Sequence, residues 1–366
     1  MPSAALFVYG FLAMFMTVNA LRQPSPPGAR LPALWLPAVL VAEAPWMWFV
    51  LRPVFAGLLV LLGGGRNPVG EWGLWLVGAS LVLQFELVRR AHISAGEVSE
   101  RQAPATWWER LTGWPYRLPI GVSRQSDVVY APGLSLDLYR RAQTTGRCLV
   151  YLHGGSWGGG DPRRQFRPVI HHLAAEGWVV AAIRYPLSPA ATFPDHLTGA
   201  LQVFDWIRAE GSNHGIDPDR LAIAGGSAGA HLASLAALGM REKIRAAVCL
   251  YGVYDFFNRH RHRHDWPVIP NRVMKVSAES DPDRYRAASP LDQSHPEAPP
   301  FLLIHGTSDS LVPVAETTVF AAALEENNVS VELLRVRWGQ HAFDIMGGAR
   351  SRALAIRIRE FLDRTV

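Results

Sequence analysis

Ser227 stands at the centre of the run Ile223-Ala224-Gly225-Gly226-Ser227-Ala228-Gly229-Ala230-His231, a Gly-x-Ser-x-Gly pattern made by Gly225, Ser227 and Gly229. The apolar stretch 221–224 leads into it and the small-residue stretch 228–238 leads out. A serine hydroxyl becomes a useful nucleophile when a sharp strand-to-helix turn presents it at a helix N-terminus beside a base. Small residues must flank it because such a turn is tight. The competing reading is an ordinary small-residue helix start. The rest of the chain decides between the two.

The remaining parts of an acyl-transfer site follow in a suggestive order. The apolar run 148–152 ends in His153-Gly154-Gly155-Ser156-Trp157-Gly158-Gly159-Gly160. Glycines after a strand can turn several N–H groups toward one point, where a carbonyl oxygen becoming negative needs them. We expect Gly154, Gly155 and Ser156, with the N–H of Ala228 just after the nucleophile, to form this oxyanion hole. A phosphate-cradling loop is disfavoured, because no Gly-Lys-Ser/Thr follows. Downstream, the apolar run 301–306 leads into Thr307-Ser308-Asp309, and the run 331–336 leads to Trp338-Gly339-Gln340-His341. Taken singly, such an Asp is a turn residue and such a His a surface or core residue. Together the order Ser227, Asp309, His341 is that of α/β-hydrolases and of no other serine-hydrolase fold. His341 would accept the proton of Ser227, and Asp309 would hold the imidazole tautomer.

Positioning these groups requires strands that end at one edge of a sheet. The patterns predict strands near 127–131, 135–141, 147–152, 178–183, 220–225, 245–251, 300–305 and 331–336. Helices are expected near 164–176, 195–210, 228–239, 313–326 and 348–364. The alternation after a β-rich start indicates a mostly parallel sheet covered on both faces, the α/β class. An insertion at about 255–286 is expected to form a small cap over Ser227, with Phe256, Phe257 and Trp266 as candidate acyl-pocket residues.

Further motifs carry a family resemblance. Arg184-Tyr185-Pro186-Leu187-Ser188-Pro189 with Phe193-Pro194, Asp217-Pro218-Asp219-Arg220 before the elbow strand, and Ala288-Ser289-Pro290-Leu291 ahead of the Asp309 strand all match. Residues from about 127 to 366 resemble α/β-hydrolases of the hormone-sensitive-lipase and carboxylesterase type. The resemblance implies nucleophile, acid and base at Ser227, Asp309 and His341, and oxyanion donors from the 153–156 loop and Ala228. Ser156 takes the third glycine position of the family's His-Gly-Gly-Gly. The acid motif His305-Gly306-Thr307-Ser308-Asp309-Ser310-Leu311-Val312-Pro313 is closer to smaller esterases and arylformamidase-like members.

The first 92 residues are a different kind of chain, with few charges. Apolar runs cover 4–21, 34–62 and 72–88, and a span needs ~20 apolar residues to cross ~30 Å of hydrocarbon. We expect about three spans, the second tilted, kinked or partly re-entrant around Arg52-Pro53. Trp35, Trp46, Trp48, Trp72 and Trp75 suit interfacial belts. A buried helical subdomain and, for the first run, a cleaved signal peptide are the alternatives. Arg22, Arg30, Arg89 and Arg90 on one side and Arg66 on the other predict a cytoplasmic hydrolase domain. Residues 93–125, with Trp107, Trp108, Trp114 and Tyr116 among Arg and Pro, are either an interfacial linker or a segment packed on the catalytic part.

Composition narrows the rest. Of 366 residues, Lys+Arg number 36 against Asp+Glu 31, a net charge of +5. This suits anionic lipid headgroups, and no nucleic-acid-binding motif accompanies it. Cys148 and Cys249 fall in expected core strands, so free buried thiols are expected and no disulfide framework. The stretch 260–265, His-Arg-His-Arg-His-Asp, reads as a solvated loop, because its arginines would repel a metal ion. The expectation is a multi-pass, membrane-anchored serine carboxylesterase or lipase, needing no cofactor or metal, with membrane lipids as partners and a lipophilic ester or lipid-derived substrate. An arylformamidase-like amidohydrolase and a non-catalytic membrane scaffold remain the alternatives.

Overall fold

The runs 148–152, 179–183, 246–250 and 301–306 are buried along their whole length. Strands without an exposed face need helices on both sides, and that requirement sets the architecture. The computed structural model describes residues 1–22, 32–112, 117–240, 243–263 and 266–366. Arg30, Trp114, Tyr116, His264 and Asp265, invoked above, lie outside the described residues.

Eight strands form one sheet: β1 (Ser123–Ala131), β2 (Leu134–Arg140), β3 (Gly146–Leu152), β4 (Val179–Ile183), β5 (Ile216–Gly226), β6 (Ala246–Leu250), β7 (Phe301–Gly306) and β8 (Val331–Val336). Their order is β1-β2-β4-β3-β5-β6-β7-β8. The first two pairings are antiparallel and the others parallel. The register aligns the C-terminal ends: Leu152 pairs with Gly225, Gly226 with Leu250, Leu250 with Ile304, and Gly306 with Val336. Loops leaving β3, β5, β7 and β8 therefore open on one edge.

The described helices are α1 (Pro2–Leu21), α2 (Pro32–Glu43), α3 (Pro45–Leu61), α4 (Pro68–Val98), α5 (Trp107–Thr112), α6 (Arg167–Ala175), α7 (Asp195–Glu210), α8 (Ala228–Gly239), α9 (Pro282–Ala287), α10 (Val314–Glu326) and α11 (Ala349–Thr365). Two apolar cores flank the sheet. One joins Val150, Ile223 and Cys249 to α7, α8 and α10, and the other joins Leu149, Ala224 and Val248 to α6 and α11. Both cysteines are buried there, and burial pushes each thiol up to about 12.

Among the described residues, α1 and α4 are long and apolar enough to cross a membrane, and α2 with α3 would make a third span if taken as one. The pair bends by 98°. The break lies at Ala44, not around Arg52-Pro53 as expected: Pro45 disfavours helical backbone in the residue before it, and Ala44 leaves the helix at φ −121°, ψ 52°. Pro53 is accommodated within α3. Helices α1 and α4 approach through glycine. A Cβ on Gly73 would lie 2.6 Å from the Leu6 carbonyl oxygen, and one on Gly10 would lie 2.4 Å from that of Gly73. Small residues at such crossings are how helices associate in lipid. Phe11, Val54, Trp75, Val82 and Phe85 face outward on this bundle.

Helix α4 runs past residue 92 to Val98, so that boundary falls inside a helix. Its last turns and the chain beyond lie on the sheet domain. Ala95, Val98, Ala103 and Val122 join the α6/α11 core, and the Ala103 N–H donates to the Arg352 carbonyl. Trp107 and Trp108 stay exposed. The solvated-loop reading of 260–265 fails for Arg263. It is buried, with its guanidinium on the Asp255 carbonyl and 3.6 Å from Glu316, because a buried acid on α10 needs a counter-charge.

Candidate active site

The elbow is built from close approach. Ser227 sits between β5 and α8 at φ 55°, ψ −119°, a strained region for a residue with a Cβ. A Cβ on Gly225 would lie 2.2 Å from the Gly229 carbonyl oxygen, and one on Gly229 would lie 2.1 Å from that of Leu152. Only glycine fits either place, which explains the spacing. The Ser227 N–H donates to the Leu250 carbonyl at 2.9 Å, tying the turn to β6.

Ser227, Asp309 and His341 come together. The Ser227 hydroxyl lies 2.9 Å from His341 Nε2, and His341 Nδ1 lies 2.7 Å from Asp309 Oδ2. The distances suit Ser227 donating to Nε2 while Nδ1–H donates to the carboxylate. Asp309 Oδ1 accepts from the N–H groups of Leu311 and Val312 at 2.9 and 2.8 Å. His305, buried on β7, brings its Nε2 within 3.2 Å of Oδ2. Burial alone would raise the Asp309 carboxyl, but the His341 charge and the His305 and His341 hydrogen bonds outweigh it and hold it at about 2. His305 was not assigned from sequence. Its place four residues before Asp309 is the signal that could have found it.

The loop after β3 lies directly against Ser227: a Cβ on Gly154 would come 3.3 Å from that of Ser227. Gly155, Ser156 and Trp157 take φ of 136°, 52° and 58° in succession. Backbone turned this way gathers N–H groups into an anion-binding concavity. The described residues give Gly155 and Ser156 no acceptor for their N–H groups, and Ala228, first in α8, has no helical acceptor for its own. Gly154 is a correction. Its N–H donates to Gln165 Oε1 at 2.8 Å, and Gln165 Nε2 donates back to its carbonyl at 3.3 Å. Gly154 is clamped at the start of the loop, and among the described residues the N–H groups there without an acceptor are those of Gly155, Ser156 and Ala228.

His231, quoted in the elbow motif but given no role, braces the loop. Its Nδ1 accepts from Trp157 Nε1 at 3.1 Å and its Nε2 donates to the Ala288 carbonyl at 2.7 Å. Phe256 stacks on its ring at 4.4 Å. Burial drives its pKa down to about 3, so it stays neutral. The unfolded chain, with an ordinary histidine near 6.5, binds more protons between those values. Stability from His231 is therefore complete above about 6.5 and lost as pH falls toward 3. His196 and His171, each lowered to about 4 chiefly by burial, act in the same sense. We predict that the thermal midpoint falls steadily from pH 6.5 to pH 4, each histidine contributing up to about 1.4 kcal/mol per pH unit. Melts of His231→Gln should show a shallower acid slope. An unchanged slope would remove His231 from the account.

Of the expected acyl-pocket residues, Phe256 is buried behind the loop against His231 and Trp157. Phe257 and Trp266 line a cavity of about 580 Å³ with Ile269 and Tyr285. None of Ser227, Asp309 and His341 lines it.

The family model BD-FAE matches residues 136–324, which include Ser227 and Asp309. The probable carboxylic ester hydrolase LipM of Mycobacterium tuberculosis is 32% identical over 94% of this chain and 90% of its own. The esterase LipQ of the same organism is 35% identical over 66% of this chain and 62% of its own. Among solved structures, a fungal esterase from Rhizomucor miehei shares the fold with a TM-score of 0.59, at 23% identity over 75% of this chain and 96% of that one.

Proposed function

We propose, for a chain that belongs to the α/β-hydrolase family of carboxylic ester hydrolases and is itself a carboxylesterase, that Ser227 is the nucleophile, His341 the base and Asp309 the acid that orients it. The observation carrying this is the series Ser227–His341–Asp309, joined at 2.9 and 2.7 Å beside a loop with unengaged N–H groups. Ser227 Oγ attacks the ester carbonyl carbon as His341 Nε2 takes its proton. The resulting oxyanion lies against the N–H groups of Gly155, Ser156 and Ala228, which bind it more strongly than the carbonyl oxygen it came from. Collapse breaks the bond to the alcohol, which leaves with the proton from His341. Water, deprotonated by His341, then cleaves the acyl-enzyme, and acid and alcohol are the products.

The helical region is the membrane anchor in this reading, with α1, α3 and α4 in the bilayer, α2 turned onto the hydrolase domain, and lipids as partners. Its outward apolar face and its glycine-mediated crossing support that. The hydrolase domain lies on the cytoplasmic side, and the substrate is a lipophilic ester entering from the bilayer. Residues 1–92 then serve as anchor and 126–366 as catalytic part, and 93–125, whose Ala95, Val98, Ala103 and Val122 pack on the sheet domain, join the two.

One preparation tests both claims. Membranes carrying the full chain are washed with alkaline carbonate, solubilised, labelled with a fluorophosphonate and mapped, and assayed on p-nitrophenyl esters from acetate to palmitate. We expect the chain to stay with the membrane, the label to sit on Ser227, and longer acyl chains to be turned over. Release by carbonate would overturn the anchor. Labelling elsewhere would overturn the nucleophile. Faster cleavage of N-formyl aryl amides than of any ester would favour an amidohydrolase.

A further inference from the structure

We infer that Trp35, on α2 of the helical region, is a positioning residue for His341; this rests on His341 being the base. The Trp35 indole N–H donates to the main-chain carbonyl of His341 at 3.0 Å. Its ring meets the imidazole edge-on, with centroids 6.1 Å apart and planes at 67°. A residue 306 positions upstream thus holds the backbone that carries the base. The loop needs holding, because Trp338 and Ala342 both take left-handed φ, near 56°, within four residues. Backbone of that kind persists where its surroundings fix it.

Trp35 can do this because α2 is itself clamped. At its far end, Glu43 Oε1 pairs with Arg350 Nη1 at 2.9 Å, both side chains buried, and Arg350 Nε donates to Ser94 Oγ at 3.1 Å. Gly348 lets the two chains touch, since a Cβ there would lie 2.4 Å from the Glu43 carbonyl oxygen. Ala38, Val39, Val41 and Ala42 are buried along the helix between. The 98° turn at Ala44 directs α2 away from the axis of α3 and onto the hydrolase domain. The helical region thereby reaches the catalytic centre.

His341 must present Nε2 first to Ser227, then to the leaving alcohol, then to water. A small drift of its loop weakens all three transfers, whereas substrate binding is untouched if Trp35 acts on the loop alone. Displacements of about 1 Å from a remote change can cost up to about 100-fold in rate. The test uses the detergent-solubilised full chain and Trp35→Phe, which keeps a ring and loses the donor. Fluorophosphonate titration counts competent sites, and kcat per titrated site and KM are measured on p-nitrophenyl butyrate. The expected result is a fall in kcat per site of about 10-fold with KM within about 2-fold of the parent. Unchanged kcat per site, with or without fewer sites, would make Trp35 a packing residue and overturn the inference. A raised KM with kcat retained would make the ring a wall of the substrate site and overturn it too, as would a chain with no titratable sites. His341→Ala, run alongside, separates the two levels. If it keeps its activity, the base assignment itself is lost; if it is dead while Trp35→Phe is normal, only the role of Trp35 is.

Discussion

Ser227→Ala should lower kcat/KM on p-nitrophenyl esters by about 10⁴- to 10⁶-fold while the protein folds as before. The loss is large because without Oγ no acyl-enzyme forms, and what remains is water attacking an ester held near the oxyanion donors. The fold should be spared for a local reason. Ser227 already carries a Cβ at φ 55°, ψ −119°, so alanine inherits the same strain and adds none. Glycine at the same position removes the Cβ and should raise the thermal midpoint, by an amount matching about 1–3 kcal/mol of relieved backbone strain. An inactive but unstable alanine variant would mean that the hydroxyl serves the fold. An active one would mean that another nucleophile is at work. His341→Ala combined with Ser227→Ala should be no worse than either alone, because the two act as one unit.

Asp309→Asn should cost about 10⁴-fold in kcat, with substrate binding little changed. The carboxylate accepts from Leu311, Val312, His305 and His341, so it works as an acceptor on every side. An amide of the same shape turns an NH₂ toward one of these donors. Opposite His341 Nδ1 it forces the proton onto Nε2, which then cannot take the proton of Ser227. The same donors hold Asp309 ionised down to about pH 2, well below its ordinary 3.8. Its contribution to stability is therefore present above pH 4 and lost as pH falls through 2. The acid limb of the rate profile should accordingly not follow Asp309 in the parent. Steady-state kinetics between pH 5 and 9 on both proteins would check this, and a mutant within 10-fold of the parent would refute the tautomer argument.

The parts legible in the sequence are those set by local pattern. Continuous apolar runs ending in Gly, His or Asp marked where β3, β5 and β7 stop, and a strand's C-terminal end is where the side chain after it reaches the sheet edge. With the run that becomes β8, this placed Ser227, Asp309 and His341 after strands at one sheet edge, and the structure brings the three side chains within hydrogen-bond reach. What the pattern could not carry is pairing at a distance. Whether Gly154 has a free N–H depends on Gln165 folding back from eleven residues away. The brace from Trp157 through His231 to Ala288 joins the loop after β3, helix α8 and the end of α9. The bend at Ala44 was legible in principle, because Glu43 and Pro45 flank it, but Arg52-Pro53 in the same apolar run offered a second place for it. Trp35 read as an interfacial aromatic, since its partner at His341 lies almost the whole chain away.

The ion pair between Glu43 and Arg350 bears on how the chain can be divided. Each side chain is no more than 2% exposed, and one belongs to each half of the molecule. Cutting away the helices removes the cover of Arg350 together with its partners, Glu43 on α2 and Ser94 on α4, so the guanidinium would pass into water rather than stay buried and unpaired. What the cut would bare is the face of α11 on which α4 packs, where Ala95 and Val98 meet the α6/α11 core. A truncated hydrolase would therefore expose apolar surface that the full chain covers.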